Sequence, residues 1–509
     1  MSAGGERLAG AQASQWAEPW IVARAARTPE APALVLGAER FDYRALALRV
    51  ERVARVLAGC GVERGAIVAV QLPNGMPMLE LVHASFVLDF TLQLVNTRLT
   101  PNEVEYQLRD SGAGFFVHLV DDADAASVGL DGNVVRLHVN DAASGSSISC
   151  PEVAAPSGGQ SEAVTVAKIA FTTPRFILYT SGTSGQPKGV ALDAENLFAS
   201  ATGQAALLGA DASDRWLLCL PIFHVGGLSI LLRSVLAGSC VVLHEQFDPA
   251  RVARDLAAET ISGISLVANM LARVLDEMKG EHAASSLGCV LLGGGATPQP
   301  LLDAAREAGF PIAPTYGLTE AASQVATRPP GEGEGRGLTL LPGTRVKVVD
   351  EDGFDLARGA TGEICIHGPT VATAYWQKPD ASAEAFRDGW LHTGDVGALD
   401  PDGRLRVFDR RSDLIISGGE NIYPAEIEAV LLAHPDVSEA GVTGIADATY
   451  GARPAAWIVP REGASPRADE LRAFCRDRLA VYKCPVAFRR VDALPRNATG
   501  KLLRRELGR

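Results

Sequence analysis

The chain contains the stretch Tyr179-Thr-Ser-Gly-Thr-Ser-Gly-Gln-Pro-Lys188-Gly189, directly after the apolar segment Phe176-Ile-Leu. Four small hydroxyl residues and three glycines surround one lysine. Glycine lets backbone N–H groups approach an anion, and the hydroxyl and ammonium groups supply further donors. Lys188 is followed by Gly189, where a Walker A loop needs Ser or Thr, so this is a different kind of anion-binding loop. Taken alone, the stretch could also be a flexible Gly/Ser turn.

The segments around this loop alternate between helical and strand-like patterns. Residues 43–57 place apolar side chains at helical spacing, and residues 66–72 form a short apolar run typical of a buried strand. The alternation returns further along, with strands predicted at 216–220, 240–244 and 263–267 and helices at 228–236 and 251–258. Such βαβα order predicts parallel sheets covered by helices, and therefore an α/β fold of doubly wound subdomains.

The pattern changes after Gly343. Short strands with tight turns are predicted at 346–349, 362–366 and 404–408, which indicates a small antiparallel, β-barrel-like subdomain. The last hundred residues carry their own helices, one starting at Pro424 and one holding Leu471, Phe474 and Leu479. We therefore expect a large N-terminal domain, residues 1–411, and a small, mobile α+β lid, residues 412–509. A Ser/Gly/Ala-rich stretch at 141–162 is expected to be a surface loop without a function.

The composition of the 509-residue chain excludes two classes of protein. Lys and Arg number 47 against 60 Asp and Glu, a formal net charge of −13, and 47% of the residues are hydrophobic. A chain so rich in apolar residues is not disordered, and one so acidic is not a basic nucleic-acid binder. We therefore expect a globular protein without a nucleic-acid partner.

The cysteines and the apolar runs indicate a cytoplasmic protein. The eight cysteines are scattered and form no C-x-x-C pair, so we expect reduced thiols and no zinc site. No stretch reaches about 18 uninterrupted apolar residues, and the first thirty residues mix charges with prolines. Neither a membrane span nor a targeting segment is expected.

Further motifs accompany the glycine-rich loop in a fixed order. They are Pro221-Ile-Phe-His224-Val-Gly-Gly227, Gly293-Gly-Gly295-Ala296, Tyr316-Gly-Leu-Thr-Glu320, Trp390-Leu-His-Thr-Gly394-Asp395, Asp409-Arg-Arg-Ser-Asp413, Gly418-Gly-Glu-Asn421 and Leu494-Pro-Arg-Asn-Ala-Thr-Gly500-Lys501. This series resembles the adenylate-forming superfamily, which includes acyl-CoA synthetases, luciferases and the adenylation domains of peptide synthetases. The resemblance spans nearly the whole chain.

The resemblance implies a two-step reaction that uses ATP, Mg²⁺ and coenzyme A. A small-molecule carboxylic acid attacks the α-phosphate of ATP to give an acyl adenylate and pyrophosphate, and the acyl group then passes to the thiol of CoA. The first step brings two anions together, so preorganised cations and N–H donors should dominate its catalysis.

The resemblance also implies roles in the ATP site. Thr319 would contact the phosphate chain, and Glu320 would bind magnesium, a hard cation that prefers carboxylate oxygen. Asp395 would accept hydrogen bonds from the ribose hydroxyls, and Arg410 would contact ribose or phosphate. The residues expected at the phosphates are Thr180, Ser181, Gly182, Thr183, Ser184 and Lys188. Those expected around the adenine are Gly294, Gly295, Ala296, Tyr316 and Gly317.

Lys501 is the residue that the resemblance implicates most directly in adenylation, although a solvated C-terminal lysine is the alternative. A mobile ammonium group could bridge the attacking carboxylate and the α-phosphate and neutralise both. In relatives the C-terminal domain rotates after the first step, withdraws this lysine and brings a glycine-rich loop to the acyl adenylate. Gly418 and Gly419 would form that loop. Ser412 stands at the hinge, where many relatives carry Asp or Lys, and Asp409 replaces the usual Gly.

The acid pocket is expected around His224, whose imidazole would form part of the wall and position the carboxylate without acting as a general base. The segments 224–235, 241–249, 265–270, 316–324 and 409–424 are similar to the o-succinylbenzoate:CoA ligases of menaquinone synthesis. This similarity implies an aryl acid with a second carboxylate, for which Arg233 is one candidate partner. Gly317 and Ser323 would complete the pocket. The alternative for Arg233 is an arginine that snorkels from its helix to solvent.

Two stretches depart from the superfamily pattern. Residues 88–96 read Leu-Asp-Phe-Thr-Leu-Gln-Leu-Val-Asn, where relatives have Gly-Ala and Pro-Leu-Asn. We expect this change to affect mainly the packing of the N-terminal domain. Asp193-Ala194 stands where many relatives have Thr-His. This departure predicts that one contact near the phosphate loop is absent or replaced.

Other functions stay open on sequence grounds. An aryl- or medium-chain fatty-acid CoA ligase would use the same motifs, and so would an enzyme that loads a carrier protein in trans. A nucleotide-binding protein that has lost turnover is a third alternative, and Lys188, Glu320, Asp395, Arg410 and Lys501 argue against it. The sequence does not decide the oligomeric state, and a homodimer is one hypothesis for it.

Overall fold

The computed structural model describes most of the chain. The described residues are 17–99, 101–130, 134–140, 147–149, 168–180, 187–258, 260–295, 297–333, 335–410, 415–417, 420–422, 424–447, 450–479, 481–496 and 502–508. Among the helices in these ranges, none has both the length and the apolar composition that a membrane span needs. Seven of the eight cysteines lie in these ranges, and each of the seven is a free thiol, as expected.

The secondary structure comprises helices and strands that alternate along most of the chain. The α-helices are α1 (Trp20–Arg27), α2 (Tyr43–Gly59), α3 (Met76–Leu88), α4 (Pro101–Ser111), α5 (Ala123–Ala126), α6 (Ala194–Leu208), α7 (Val225–Ala237), α8 (Pro249–Ala257), α9 (Ala268–Met278), α10 (Gln299–Glu307), α11 (Pro379–Ala385), α12 (Pro424–Leu432) and α13 (Ala468–Arg476). Short 3₁₀ helices are Thr319–Ala321, Val481–Lys483 and Arg504–Glu506.

The strands fall into four sheets. In chain order they are β1 (Pro32–Leu36), β2 (Glu39–Asp42), β3 (Ile67–Gln71), β4 (Thr91–Leu94), β5 (Phe115–Leu119), β6 (Val135–Asn140), β7 (Ser147–Ser149), β8 (Pro174–Thr180), β9 (Lys188–Asp193), β10 (Arg215–Leu218), β11 (Cys240–Leu243), β12 (Gly263–Val267), β13 (Cys289–Gly293), β14 (Ile312–Leu318), β15 (Ser323–Thr327), β16 (Thr339–Leu340), β17 (Arg345–Val349), β18 (Gly362–His367), β19 (Phe386–Arg387), β20 (Trp390–Leu399), β21 (Leu405–Arg410), β22 (Ile415–Ser417), β23 (Glu420–Ile422), β24 (Val437–Asp447), β25 (Gly451–Pro460) and β26 (Ala487–Arg490).

Two mainly parallel sheets form the larger part of the molecule. The first has seven strands in the order β7-β6-β5-β3-β4-β8-β9, and the second has nine in the order β16-β15-β14-β13-β12-β10-β11-β1-β2. In both, the central strands are parallel and the outer strands pair antiparallel. One hydrophobic core lies between the sheets and includes helices α2, α3 and α7. Helices α8 and α9 pack in a second core on the nine-stranded sheet, and α4 packs on the seven-stranded sheet. The predicted α/β class is confirmed.

Two smaller sheets complete the fold. Strands β17 to β21 form an antiparallel sheet of five, in agreement with the change of pattern after Gly343. Strands β22 to β26 form the C-terminal sheet, in which β26 is parallel to β25 and the other pairs are antiparallel. Helices α12 and α13 pack on this sheet around Ile427, Leu431 and Leu471. Leu479 joins the same core, although it lies beyond the end of α13 at Arg476.

Helix α2 shows how local sequence sets an element. The Asp42 carboxylate accepts a 2.7 Å hydrogen bond from the Ala45 amide and caps the helix, a contact that typically stabilises a helix by about 1 kcal/mol. Leu46, Val50 and Leu57, which the helical spacing placed on one face, are all buried. The hydrophobic period of the segment therefore determines which face of α2 enters the core.

The predicted surface loop at 141–162 lies almost entirely outside the described residues. Within it, Ser147–Ser149 is described and forms strand β7, which pairs antiparallel with β6. A strand of three residues surrounded by Ser and Gly has too little apolar periodicity to be recognised from sequence.

The two departures from the superfamily pattern both have structural explanations. Asp89 ends α3 in the left-handed region (φ 60°), where glycine is common, and its buried carboxylate accepts hydrogen bonds from Arg175 and Arg64. Asp193 caps α6 in a reciprocal capping box with Asn196. The first departure concerns packing, as expected, and the second places a helix cap after strand β9.

Candidate active site

The glycine-rich loop begins and ends on two paired strands. Thr180 ends β8, Lys188 begins β9, and the two residues are register partners in the antiparallel ladder. A Cβ atom on Gly189 would lie 2.9 Å from Cγ2 of Ile177, so this position needs glycine. The structure therefore brings Thr180 and Lys188 together. The other predicted loop residues, Ser181, Gly182, Thr183 and Ser184, lie outside the described residues.

Tyr375 connects the loop to the segment that carries Glu320. The Lys188 ammonium nitrogen lies 5.3 Å from the centroid of the Tyr375 ring. The hydroxyl of Tyr375 donates a 3.1 Å hydrogen bond to Oε1 of Glu320. The next residue, Trp376, donates its backbone N–H to the carbonyl oxygen of Gly189 at 2.7 Å. A cation and a carboxylate that are 132 positions apart in the sequence therefore lie on either side of one phenol.

Thr319 and Glu320 lie in a tight turn between β14 and β15. They occupy the 3₁₀ helix Thr319–Ala321, and the next two residues, Ala322 and Ser323, have φ angles of 49° and 97°. Backbone in this region is costly for residues other than glycine and often marks a functional site. The turn is fixed from outside by the Ser200 hydroxyl, which donates a 2.6 Å hydrogen bond to the Ala322 carbonyl oxygen.

The two glycine-containing strand ends expected near the adenine lie side by side. Strand β13 ends at Gly293 and runs parallel to β14, which carries Tyr316 and Gly317. A Cβ atom on Gly317 would lie 1.7 Å from the carbonyl oxygen of Ser323, so no other residue fits there. A Cβ atom on Gly295 would meet no atom within 4 Å, which leaves open space above this edge. Gly294 has a φ of 82°, and Ala296 lies outside the described residues.

Tyr316 and Asp395 are in direct contact. The Tyr316 hydroxyl donates a 2.7 Å hydrogen bond to Oδ2 of the buried Asp395. Asp395 lies on β20 and is the register partner of Arg410 on β21. The backbone therefore places Arg410 opposite Asp395. Tyr316 and Asp395, two of the residues predicted to hold the nucleoside, thus meet where the nine-stranded sheet approaches the antiparallel sheet of five.

His224 precedes helix α7, directly after the loop that follows strand β10. Its Nε2 atom is buried and has no hydrogen-bond partner among the described residues. Burial, together with the charge of Arg98, lowers the pKa of His224 to about 4, so the imidazole is neutral at pH 7. A neutral imidazole is compatible with the predicted role of His224 as part of the wall of the acid pocket.

Arg233 lies inside the protein and does not snorkel to solvent. Its side chain is 8% exposed, and its guanidinium carbon lies 4.1 Å from the centroid of the Trp216 ring. Burial lowers its pKa to about 10, so it still carries its charge at pH 7. Its one described polar contact is a long one, 3.5 Å from Nη2 to the hydroxyl oxygen of Ser265. No carboxylate of the described residues forms an ion pair with it.

Arg233 lines a narrow cavity together with residues of the turn at 319–323, which is called the strained turn below. The cavity also contains Gln324, which is 3% exposed and whose amide oxygen and nitrogen both lack a hydrogen-bond partner in the described part of the chain. The full lining consists of Leu197, Ser200, Ala201, Gln204, Ser229, Leu232, Arg233, Ala322, Ser323 and Gln324. A buried cation and an unpaired amide at one cavity are suited to an anionic, hydrogen-bonding ligand.

The residues predicted to act from the hinge and the C-terminal domain lie in stretches that the structure does not describe. Lys501, Gly418 and Gly419 lie outside the described residues, and so does the hinge residue Ser412. The chain on both sides of Lys501 is described: Arg496 and Leu502 form an antiparallel bridge. Arg504 then donates a 2.6 Å hydrogen bond to Glu428 of helix α12. The bridge joins the two ends of the segment that carries Lys501, and the hydrogen bond attaches the chain after it to helix α12.

Three residues with a place in the site were missed by sequence reasoning. Tyr375 and Gln324 are described above. Asn74 is the third: its side-chain amide donates to the carbonyl oxygens of Leu220 (2.9 Å) and His244 (3.3 Å) and accepts from the Ile222 amide (2.9 Å). Asn74 thereby holds the loop that leads to His224. For Asn74 and Tyr375 the available signal was weak, a Pro-Asn-Gly turn and a Tyr-Trp pair.

Comparisons with known proteins show which family the chain resembles over most of its length. The family model described as AMP-binding enzyme matches residues 21–376, and the model described as AMP-binding enzyme C-terminal domain matches residues 426–501. The 2-succinylbenzoate–CoA ligase of Geobacillus kaustophilus is 44% identical over 494 residues, which cover 96% of this chain and 97% of that protein.

Solved structures are similar over nearly the whole chain. The structure of o-succinylbenzoate CoA synthetase (MenE) from Bacillus subtilis with the acyl-adenylate intermediate OSB-AMP has a TM-score of 0.86 and 38% identity, and the match covers 97% of this chain and 98% of that one. The same Bacillus subtilis enzyme with ATP and a magnesium ion gives a TM-score of 0.85 and 38% identity, with coverages of 96% and 99%. By the length of the family match and the level of identity to these relatives, the chain belongs to the AMP-binding enzyme family.

Proposed function

We propose that this protein is an ATP-dependent ligase that joins o-succinylbenzoate to coenzyme A. In the first step a carboxylate oxygen of the acid bonds to the α-phosphorus while the bond to the bridging oxygen breaks, which releases pyrophosphate. In the second step the CoA sulfur bonds to the acyl carbon, AMP leaves, and the thiol proton is lost. The similarity to named 2-succinylbenzoate–CoA ligases over 96% of the chain supports this proposal. On this chain, the observation that carries it is the buried Arg233 without an ion-pair partner in the described residues.

The nucleotide is proposed to lie across the junction of the nine-stranded sheet and the antiparallel sheet. Asp395, held by Tyr316, would accept hydrogen bonds from the ribose hydroxyls. Gly294, Gly295 and Gly317 would let the adenine lie close to the backbone. Lys188 and Thr180 would contact the terminal phosphates, with Ser181, Gly182, Thr183 and Ser184. Arg410, opposite Asp395 in the ladder, would reach ribose or phosphate.

Glu320 fits the magnesium ion that the comparison structure contains. Its carboxylate offers hard oxygen ligands, and the hydrogen bond from Tyr375 orients that carboxylate. Bound magnesium would neutralise charge on the phosphate oxygens. Thr319, one residue earlier in the same turn, would contact the phosphate chain. The turn's backbone hydrogen bonds hold both side chains in place before ATP binds.

The acid is proposed to enter between helix α7 and the strained turn. His224 would form part of the pocket wall and position the reacting carboxylate, and Gly317 and Ser323 would complete the pocket. Arg233 would pair with the second carboxylate of o-succinylbenzoate. A buried guanidinium without an anion is costly, and a dicarboxylic acid would supply the missing partner. A monocarboxylic acid would leave Arg233 unpaired, which gives the site a physical basis for discrimination.

The chain is proposed to divide into residues 1–411 and 412–509. Strand β21 ends at Arg410 in the antiparallel sheet, and strand β22 begins at Ile415 in the C-terminal sheet. The hinge would lie between them, at Ser412. Lys501 would serve the adenylation step, and Gly418 and Gly419 would serve thioester formation after rotation of the lid. A cytoplasmic location and a homodimer are also proposed, and the mass of the native protein in solution tests the dimer.

The experiment is ATP–pyrophosphate exchange by the full-length protein with a panel of acids. O-succinylbenzoate should support rapid exchange, while benzoate and octanoate, which lack the second carboxylate, should support little. Arg233→Met should lower exchange with o-succinylbenzoate by about 100-fold, since a lost charge-assisted pair is worth roughly 3 kcal/mol. Arg251→Met, on the partly exposed start of helix α8, is the control. Faster exchange with benzoate or octanoate, or transfer to a carrier protein but not to free CoA, would refute the proposal.

A further inference from the structure

A second cluster of polar side chains lies on the antiparallel sheet, close to Asp395. Glu363 and Cys365 are on strand β18, and His392 is on the neighbouring strand β20, where it is the register partner of Cys365. The carboxylate, thiol and imidazole atoms of these three residues all lie within 4.8 Å of one another. None of the roles proposed above uses this cluster.

The imidazole of His392 contacts both of the other groups. Nδ1 of His392 is 3.3 Å from Sγ of Cys365 and 3.1 Å from Oε2 of Glu363, so one ring nitrogen faces both partners. A single proton on Nδ1 can form a well-directed hydrogen bond to only one of them at a time. The usual zinc–ligand bond lengths in a tetrahedral site would place nitrogen about 3.5 Å from sulfur and about 3.4 Å from oxygen. The observed separations differ from these by only a few tenths of an ångström.

We propose that Glu363, Cys365 and His392 bind a thiophilic divalent cation of the Zn²⁺ class, with one coordination position left open. A thiolate, an imidazole and a carboxylate are the ligand types that zinc takes, whereas magnesium prefers oxygen alone. The site is therefore chemically distinct from the one proposed at Glu320. Cys365 and His392 are 27 positions apart on two strands, so the cysteine spacing, from which no zinc site was expected, carries no signal of this one.

The surroundings support ligation by all three groups. Oε1 of Glu363 accepts a 3.0 Å hydrogen bond from the Gly394 amide, which orients the carboxylate. The side chains of His392 and Glu363 keep 12% and 10% of their exposure, which provides an entry path for an ion, while Cys365 is fully buried.

The cluster lies beside the proposed nucleotide site. The Gly394 amide that binds Glu363 immediately precedes Asp395, the carboxylate held by Tyr316. An ion on Glu363 would therefore act on the same short stretch of β20.

Cobalt(II) is the probe, because cobalt bound to a thiolate gives a charge-transfer absorption in the near ultraviolet. The full-length protein, without an affinity tag and freed of metal with a chelator, is titrated with Co²⁺. We expect the band to saturate at one equivalent, to disappear on addition of Zn²⁺, and to persist in a large excess of Mg²⁺. Cys365→Ser should lose the band, and Cys60→Ser, which changes a thiol elsewhere, should keep it.

His392→Gln provides an independent variant if Cys365→Ser folds poorly, with folding judged by circular dichroism. It should keep the thiol and bind Zn²⁺ at least about 10-fold more weakly than the wild type in competition with a coloured chelator, as is typical for a lost ligand contact. The absence of a thiolate–cobalt band in the wild type would overturn the proposal. A band of equal intensity in Cys365→Ser, or unchanged Zn²⁺ affinity in His392→Gln, would overturn it as well.

Discussion

The hydroxyl of Tyr316 donates a 2.7 Å hydrogen bond to Oδ2 of Asp395, and this bond joins strand β14 of the nine-stranded sheet to strand β20 of the antiparallel sheet. The two residues are 79 positions apart in the chain. Asp395 is buried, so its charge depends on such donors for compensation. The bond holds the carboxylate in place before a nucleotide arrives.

Tyr316→Phe keeps the ring at the edge where the adenine is proposed to lie and removes this donor. We expect kcat/KM for ATP to fall by about 10- to 100-fold, because a hydrogen bond to a charged group is worth about 1.5–3 kcal/mol. Initial rates of ATP–pyrophosphate exchange at varied ATP measure the effect. Asp395→Asn and the double variant complete a double-mutant cycle. If the losses of the two single variants add up to the loss of the double variant, Tyr316 and Asp395 are not coupled in function. Tyr450→Phe, on an exposed tyrosine, is the control.

Tyr375 is expected to act on the magnesium requirement through Glu320. Tyr375→Phe keeps the ring near Lys188 but removes the 3.1 Å hydrogen bond to the carboxylate. The concentration of Mg²⁺ for half-maximal exchange should change, and the maximal rate should fall by less than about 10-fold, since a positioning contact is lost and a ligand is not. Glu320→Gln removes the ligand itself and should cost roughly 100-fold or more in rate. Equal losses in the two variants, with no change in the Mg²⁺ dependence of Tyr375→Phe, would contradict this division of roles.

Hydrophobic periodicity predicted most of the fold because it is a local signal. The predicted strand at 263–267 coincides with β12, and the helix predicted at 43–57 lies within α2. Burial of one face follows from the period of the sequence alone. The order of the strands in the sheets was not accessible in this way. It depends on contacts between distant segments, such as β1 lying beside β11.

The residues of the candidate site that belong to sequence motifs could be proposed from the sequence alone. Tyr375 and Gln324 belong to the candidate site because of tertiary contacts. Tyr375 hydrogen-bonds to Glu320, 55 residues away, and Gln324 lines the cavity beside helix α7. Arg233 illustrates the same limit, since its helical sequence was equally compatible with a side chain in solvent. The burial of its side chain and the packing of its guanidinium on Trp216 distinguish the two cases.

Substitution of Gln324 is expected to increase the stability of the protein and to weaken its binding of the acid. Its amide is buried and has no partner in the described residues, so Gln324→Met should stabilise the protein by about 1–3 kcal/mol, the usual cost of an unsatisfied buried group. The same change should raise KM for the acid, because the cavity loses its hydrogen-bonding amide. Urea unfolding and exchange assays measure the two effects. Gln71→Met, at another buried glutamine, is the control for KM. A variant that is more stable with KM unchanged would exclude Gln324 from acid binding.

His83 is expected to make the protein less stable as the pH falls. Burial within α3 lowers its pKa to about 4, while the unfolded chain binds the same proton near the ordinary value of 6.5. Between these values the unfolded state binds more protons, so the free energy of unfolding decreases as the pH drops from 6.5 to 4. The full effect is at most about 3 kcal/mol. Urea unfolding at several pH values measures the slope, which His83→Leu should reduce and His282→Leu, at an exposed histidine, should not.

Lys501→Ala tests whether the two half-reactions depend on different parts of the chain. The variant should lose most ATP–pyrophosphate exchange, roughly 100- to 1000-fold, because a preorganised cation no longer stabilises the charge that develops between carboxylate and α-phosphate. It should still convert presynthesised acyl adenylate and CoA into thioester, since that step needs no such bridge. Arg505→Ala, on the same C-terminal tail, controls for the loss of positive charge. Equal losses in both half-reactions would mean that Lys501 serves the architecture of the C-terminal domain and not the adenylation step.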